Sequence, residues 1–381
     1  MPSPPLRLYD RHAGAPVEVT PRERMSVYVC GITPYDSAHV GHAFLYVQFD
    51  VLVRFLRWQG IQVDHVQNVT DVDDDILRTA KERDVDYLEL ASREVEAFER
   101  DMAAIGIQRP THVPRATQFV PEIVEEVKLL YDSGCAYERD GTVYFRVSSD
   151  PSYGRLSRLS RDEMLVLAAE RGGFPDDPNK DDPLDFVLWQ KSKPGEPSWA
   201  SPWGDGRPGW HIECSTMARR LVGSPVDIHG GGPDLIYPHH ESELAQAECA
   251  HPEEPFVRFW MHSGEVRMDG TKMSKSLGNL AFVGDLLKRH QPEAIRRLLL
   301  SHHYRESWEF FEADLSRPPA TGPSPATVST SGDVDSFLEA LADDLNTPLA
   351  LTILDQAEAG GAEWTSVGRE ILGLDFGSSA G

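Results

Sequence analysis

The sequence predicts an α/β fold on a parallel sheet, and three neighbouring stretches carry that expectation. Ser26-Val27-Tyr28-Val29-Cys30 is a β-rich run ending at Gly31. Ala43 to Trp58 is apolar at helical spacing through Phe49, Leu52, Val53 and Leu56, and Ile61 to Val69 is a second strand. Strand, loop, helix, strand is the opening of a parallel α/β unit. Ligands in such sheets sit beyond the carboxyl ends of the strands, which puts the candidate site between Cys30 and His42.

After the second strand comes an acidic run, Asp71, Asp73, Asp74 and Asp75. Leu88, Ala91, Val95, Phe98, Met102 and Ile105 then recur every three or four residues, the pattern of an amphipathic helix. From about 111 to 205 the rhythm breaks. A helix around 118–131, a strand from Thr142 to Val147 and a loop-rich stretch with many Pro and Gly read as an insertion between two halves of the sheet. The α/β pattern resumes with Val226-Asp227-Ile228 and with Phe256 to Met261. Arg317 to Gly332, rich in Pro, Ser and Thr, reads as a linker. Val334 to Leu374 is expected to hold about two short helices. The expected division is therefore 1–316 as the main domain, 317–332 as linker and 333–381 as a short helical tail, consistent with the two or three domains that the length allows.

The chain has 381 residues and a formal charge of −24, with no basic clusters beyond Arg296-Arg297 and His302-His303-Tyr304-Arg305. A nucleic-acid binder normally shows a basic face, so the balance shifts toward a small-molecule partner. Met1-Pro2-Ser3-Pro4-Pro5 has no apolar signal core and no stretch approaches 18 apolar residues. The expectation is a soluble cytoplasmic protein without a membrane partner, monomeric by preference. Four cysteines without a secretory signal argue against a disulfide framework. Cys135 and Cys249 are expected to be ordinary thiols, whereas Cys30 and Cys214 have a use in chemistry.

Two short motifs carry that chemistry. His39-Val40-Gly41-His42 stands where a helix starts, and imidazoles and helix-start N–H groups both bind phosphate oxygens. Far down the chain, Lys272-Met273-Ser274-Lys275-Ser276 lies in a Gly-flanked loop, Gly270 to Gly278. Two ammonium groups three residues apart can clamp the outer phosphates of ATP and neutralise the departing pyrophosphate. An HxGH alone arises easily by chance, and lysines alone make a solvated loop. The pair in this order predicts two halves of one ATP site and adenylate-forming chemistry, with His39, His42, Lys272 and Lys275 as the catalytic set.

Cys30, Cys214, His239 and Glu243 form a candidate Zn²⁺ site. Two thiolates, an imidazole and a carboxylate suit that ion, and His239 and Glu243 are four apart, so on a helix they face one way. The ligands are scattered, so spacing by itself carries little weight here. Gly230-Gly231-Gly232-Pro233-Asp234 follows a strand, where glycines let a ligand approach the backbone and Asp234 could take ribose hydroxyls or a substrate ammonium. Trp210 could wall an amino-acid pocket.

Cys30-Gly31-Ile32-Thr33-Pro34-Tyr35-Asp36, Asn68-Val69-Thr70-Asp71-Val72-Asp73-Asp74, Gly206 to Cys214 and Asp227-Ile228-His229-Gly230-Gly231-Gly232 together resemble the cysteine-specific class I aminoacyl-tRNA synthetase superfamily. The resemblance covers about 1–316, and 333–376 more weakly. It implies a Rossmann-type catalytic domain, ATP with Mg²⁺ as substrate, and a zinc that takes the thiolate of L-cysteine. By the same resemblance Cys30, Gly31, Ile32, Thr33, Asn68, Val69, Thr70, Trp210, Gly232, Pro233, Asp234 and Val266 contact the activated amino acid or its nucleotide.

The superfamily divides on the acceptor. One branch charges tRNA, and the other joins cysteine to the amine of glucosaminyl-inositol in the mycothiol pathway. Ile32, Pro34 and Glu170-Arg171-Gly172-Gly173-Phe174-Pro175, similar to ERGGDP with Phe174 for Asp, resemble the second branch. So does a chain ending soon after Leu374 with no anticodon-binding domain. His229, Glu243 and Leu277 resemble the first, and Leu45 stands where the second uses a Thr. The expected acceptor is the amino sugar. The alternatives are a truncated cysteine–tRNA ligase and, disfavoured by intact motifs, a non-catalytic adenylate-binding paralogue.

Overall fold

Strand–loop–helix–strand, repeated across an insertion, gives a four-stranded parallel sheet. The computed structural model describes residues 4–273, 278–316 and 333–376. A hairpin of β1 (Arg7–Asp10) and β2 (Ala15–Glu18), too short for periodicity to announce, precedes β3 (Arg24–Ile32), α1 (Val40–Trp58) and β4 (Gln62–Val69). The acidic run then starts a helix, α2 (Asp74–Arg83), with the Asp73 carboxylate capping the backbone N–H of Asp75. The amphipathic stretch is α3 (Tyr87–Ala104).

The inserted region holds α4 (Val120–Asp132), β5 (Ala136–Arg139), β6 (Thr142–Phe145), α5 (Arg161–Glu170), β7 (Phe186–Lys191) and β8 (Gly206–Pro208). Its four strands form an antiparallel sheet, where the sequence suggested one strand. Short strands such as Gly206-Arg207-Pro208 have no alternation to betray them. After α6 (Trp210–Val222) come β9 (Val226–Gly231), α7 (Glu241–Ala250) and β10 (Val257–His262). The chain continues through β11 (Val266–Met268), β12 (Thr271–Lys272), α8 (Val283–Leu287), α9 (Pro292–Leu300) and β13 (Trp308–Glu309).

The expected linker, 317–332, lies outside the described residues. The tail has three helices rather than about two: α10 (Val334–Ala342), α11 (Thr347–Ala359) and α12 (Thr365–Leu372). Gly360 and Gly361, the latter at φ +72°, end α11 before α12 begins. A second correction concerns Cys135 and Cys249, which are joined as a disulfide. They are 114 positions apart, and only the packing of α4 against α7 brings them together.

The parallel sheet has the order β10-β9-β3-β4. Central β3 is buried on both faces. Val27 and Val29 pack toward α1, and Tyr28 and Cys30 pack with Met217 of α6 and Leu244 of α7. Two buried polar nodes tie the tail to this core. Arg296 donates to Asp50 of α1 (2.5 Å), to the Ile105 carbonyl (3.1 Å) and to the Leu372 carbonyl at the end of α12 (2.6 Å). Asp344 accepts from the Tyr9 N–H (2.8 Å), the Tyr304 hydroxyl (2.6 Å) and Arg305 (2.6 Å). Among the described residues no helix is long and apolar enough to cross a membrane.

Candidate active site

The chain leaves β3 toward β4 on one side, and the later strands β9 and β10 stack on the other. The crevice of such a sheet opens where the order reverses, between the carboxyl ends of β3 and β9. Cys30 ends β3 on the face covered by α6 and α7. Cys214 comes from the second turn of α6 and Glu243 from the first turn of α7. His239 lies in the Ile236–His240 segment, where Tyr237 (φ −138°, ψ 135°) breaks the helix. That break precedes both His239 and Glu243, which still meet across one turn: Nε2 of His239 is 3.0 Å from Oε1 of Glu243. One ligand atom from each of Cys30, Cys214, His239 and Glu243 falls within 4.8 Å of the others, and all four residues are buried.

This donor set fits a thiophilic divalent cation such as Zn²⁺. His239 Nε2 is buried 3.0 Å from Glu243 Oε1 but makes no hydrogen bond of good geometry among the described residues, an arrangement that a metal would satisfy. The two sulfurs differ in charge state. Burial would raise the Cys214 thiol, but the Cys30 hydrogen bond and the charge of His239 bring it down to about 6. Burial and the neighbouring Cys214 hold the Cys30 thiol well above its usual range. Burial opposes ionisation of Glu243, but His229 and His239 pull it down to about 2.

Four further histidines surround the set. His211 Nδ1 meets His239 Nδ1 at 2.9 Å and orients the ring. His229 Nε2 holds Oε2 of Glu243 at 3.0 Å, which turns Oε1 toward Cys30 (3.6 Å). His240 Nε2 is 3.3 Å from Cys30 Sγ, and its Nδ1 is 2.7 Å from His262 Nε2. Cys30, His229, His240 and Glu243 also bring ligand atoms within 4.8 Å of one another. The set with two sulfurs is the better site for a thiophilic metal. In the sequence His211 and His229 fall inside segments that carry the family resemblance and His240 adjoins His239, but none is marked there as a support of the ligands. The Trp210 ring stacks on His239, centroids 4.2 Å apart.

The other half of the crevice belongs to α1. His39 is its N-cap, accepting from the Gly41 N–H (3.1 Å), and the His39 N–H donates to Nδ1 of His42 (3.5 Å). The two rings stack at 3.9 Å. With Nδ1 accepting in both, the neutral rings carry their proton on Nε2, the form that donates to a phosphate oxygen. Two backbone hydrogen bonds, Val40 N–H to Ala281 O and Val283 N–H to Ala38 O (both 2.9 Å), bind this segment to the chain just after the lysine loop. The segment that follows the second motif thus lies against the first. Lys272 Nζ lies 3.1 Å from the Asp234 carboxylate. Lys275 lies outside the described residues.

The remaining expected contacts line the strand ends. The Gly31 N–H donates to Asn68 Oδ1 (2.8 Å), and a Cβ on Gly31 would stand 1.6 Å from the Asn68 carbonyl oxygen. Thr70 pairs with the Ile32 carbonyl (3.0 Å) and accepts from Asn68 Nδ2 (3.4 Å). Thr33 is half-buried beside them, while Ile32, Val69 and Val266 are core residues. Gly232, Pro233 and Asp234 follow β9. The space beside Gly230 is filled by the Met261 carbonyl and Phe49, and that beside Gly231 by Leu235, so close packing of protein accounts for these two glycines.

Residues 16–319 match the family described as tRNA synthetases class I (C) catalytic domain. The chain is 44% identical over 379 residues to the L-cysteine:1D-myo-inositol 2-amino-2-deoxy-alpha-D-glucopyranoside ligase of Thermomonospora curvata, covering 95% of this chain and 90% of that protein. It is 47% identical over 342 residues to the cysteine–tRNA ligase of Chromohalobacter salexigens, covering 87% and 73%. Among solved structures, Mycobacterium tuberculosis methionyl-tRNA synthetase in complex with methionyl-adenylate superposes with a TM-score of 0.65 at 17% identity, over 92% of this chain and 88% of that one, a likeness of fold.

Proposed function

The chain belongs to the class I (C) tRNA synthetase catalytic-domain family and is an ATP-dependent ligase; from that premise we propose that it activates L-cysteine and transfers it to the amine of glucosaminyl-inositol. The carboxylate of cysteine attacks the α-phosphate of ATP, supplied with Mg²⁺, and pyrophosphate leaves. The sugar amine then attacks the mixed anhydride, an amide forms, a proton is lost and AMP departs. The observation that carries this reading is the 44% identity to the amino-sugar ligase, which runs nearly end to end in both proteins.

Zn²⁺ held by Cys30, Cys214 and His239, with Glu243 as fourth ligand, would accept a thiolate and discriminate against the hydroxyl of serine. Burial and hydrogen bonding keep those ligands in place, and Trp210 and Thr70 border the amino acid. His39 and His42 donate Nε2–H groups toward the reacting phosphate, and the N–H groups that open α1 add to them. Lys272 and Lys275 neutralise the outer phosphates. Asp234, paired with Lys272 in this structure, exchanges that partner for the substrate ammonium or a ribose hydroxyl.

A cysteine–tRNA ligase is the second reading, favoured by 47% identity to such an enzyme and by Glu243 standing in the ligand set. Parallel reactions with ATP, Mg²⁺ and labelled cysteine decide the acceptor. Stable amide with glucosaminyl-inositol and little charging of tRNA is expected. Charged tRNA beside an inert sugar would replace the first reading with the second.

A further inference from the structure

We infer that Arg171 is a positioning residue for the segment that presents Asp234 and His239, an inference that rests on the cysteine-ligase reading. Arg171 ends α5, in the inserted region, and belongs to the Glu170–Pro175 motif that the chemistry above does not use. Its Nη1 donates to two backbone carbonyls of the segment after β9, those of Asp234 (2.5 Å) and Tyr237. Tyr237 is where the helix breaks, so the regular i→i−4 ladder does not run through this segment. A guanidinium from another part of the fold supplies donors there instead.

The two carbonyls belong to and adjoin the residues that matter. The Asp234 side chain meets Lys272, and His239 follows two residues after Tyr237 with its Nε2 in the ligand cluster. One cation therefore holds both the carboxylate that faces the lysine loop and the imidazole that faces the thiols. The loop carrying Arg171 is itself braced. The Gly173 N–H donates to the Ala168 carbonyl (2.7 Å), Lys180 Nζ donates to the Gly173 carbonyl, and the Tyr144 hydroxyl donates to Asp177 (2.7 Å). Phe174, 70% exposed at φ +46°, takes no part in the clasp. Its replacement of the Asp of ERGGDP leaves the clasp intact.

The test compares Arg171→Ala and Arg171→Lys with the wild type in two readouts. In cysteine-dependent pyrophosphate exchange, Arg171→Ala should raise KM for cysteine about tenfold, the size of one lost charge-assisted contact, with KM for ATP and kcat nearly unchanged. Arg171→Lys should recover most of it, because a single nitrogen reaches both carbonyls. In amide hydrogen exchange, residues 232–241 should lose protection in Arg171→Ala and regain it in Arg171→Lys. If Arg171→Ala does not fold, Arg171→Gln takes its place. Normal protection, or lost protection with a normal KM for cysteine, overturns the positioning role. If the wild type itself shows no cysteine-dependent exchange, the ligase reading fails, and the protection of 232–241 still decides whether Arg171 holds the segment.

Discussion

His211 shows how far a single side chain reaches in this site. Its Nδ1 contact sets the plane of His239, and the Gln246 amide in turn holds the His211 carbonyl at 2.7 Å. Partners of this kind are typically worth about 10–100-fold in metal affinity. His211→Phe should therefore weaken Zn²⁺ binding by about that factor, read by competition with a chromogenic chelator, while the fold persists. Unchanged affinity would mean that Trp210 stacking alone orients the ring. The sequence made the four proposed ligands legible through their donor chemistry, Cys30, Cys214, His239 and Glu243. It did not reveal His211, His229, His240 or His262 as their supports, because a supporting histidine looks like any core histidine until its neighbour is known. Lys272 was legible as a cation of the loop, but its pairing with Asp234 is a matter of tertiary approach.

At the scale of elements, the parallel unit was legible because β3, α1 and β4 are long and strongly patterned. The insertion was not, since its strands are short and its sheet is closed by residues such as Trp189 and Pro208, distant from the Thr142 strand in sequence. Gly31 is the tightest point between elements. Its missing side chain lets β3 and β4 approach where their register shifts between Val29 and Ile32. Gly31→Ala must push the Asn68 backbone away. The expected cost is at least about 1–3 kcal/mol, the range of core overpacking. Thermal melting would show it, and a variant that melts like the wild type would mean that the strand ends yield freely.

At the scale of the whole molecule, acid stability is set partly by buried neutral histidines. Burial lowers His65 of β4 to about 4 and also lowers His302, stacked on Trp308 at 3.9 Å, to about 4. Both folded values lie below the ordinary value of about 6.5. Above that value the rings are neutral in both states and cost nothing. As pH falls from about 6.5 toward 4, the unfolded chain takes up protons that the folded chain refuses, and stability is lost. Melting temperatures across this window should fall less steeply for His65→Gln than for the wild type. Parallel slopes would assign the loss to other groups. The docking of the tail belongs to this scale as well. The linker pattern suggested a separable unit, but Arg296 and Asp344 bury their hydrogen bonds across the junction, and no local pattern encodes a contact between Tyr9 and Asp344 that spans 335 positions.

The distance along the chain between the cluster's members has a consequence for biosynthesis. Cys30 and Glu243 are 213 positions apart. At about 5–20 residues per second, roughly 10–40 s separate their appearance on the ribosome. On the proposed zinc reading the first thiol would wait through that interval, and the ion could be captured in full only after most of the polypeptide had been made. Loading would then be a late step of maturation that closes a very long loop, and a cell short of the ion would accumulate unsealed chains.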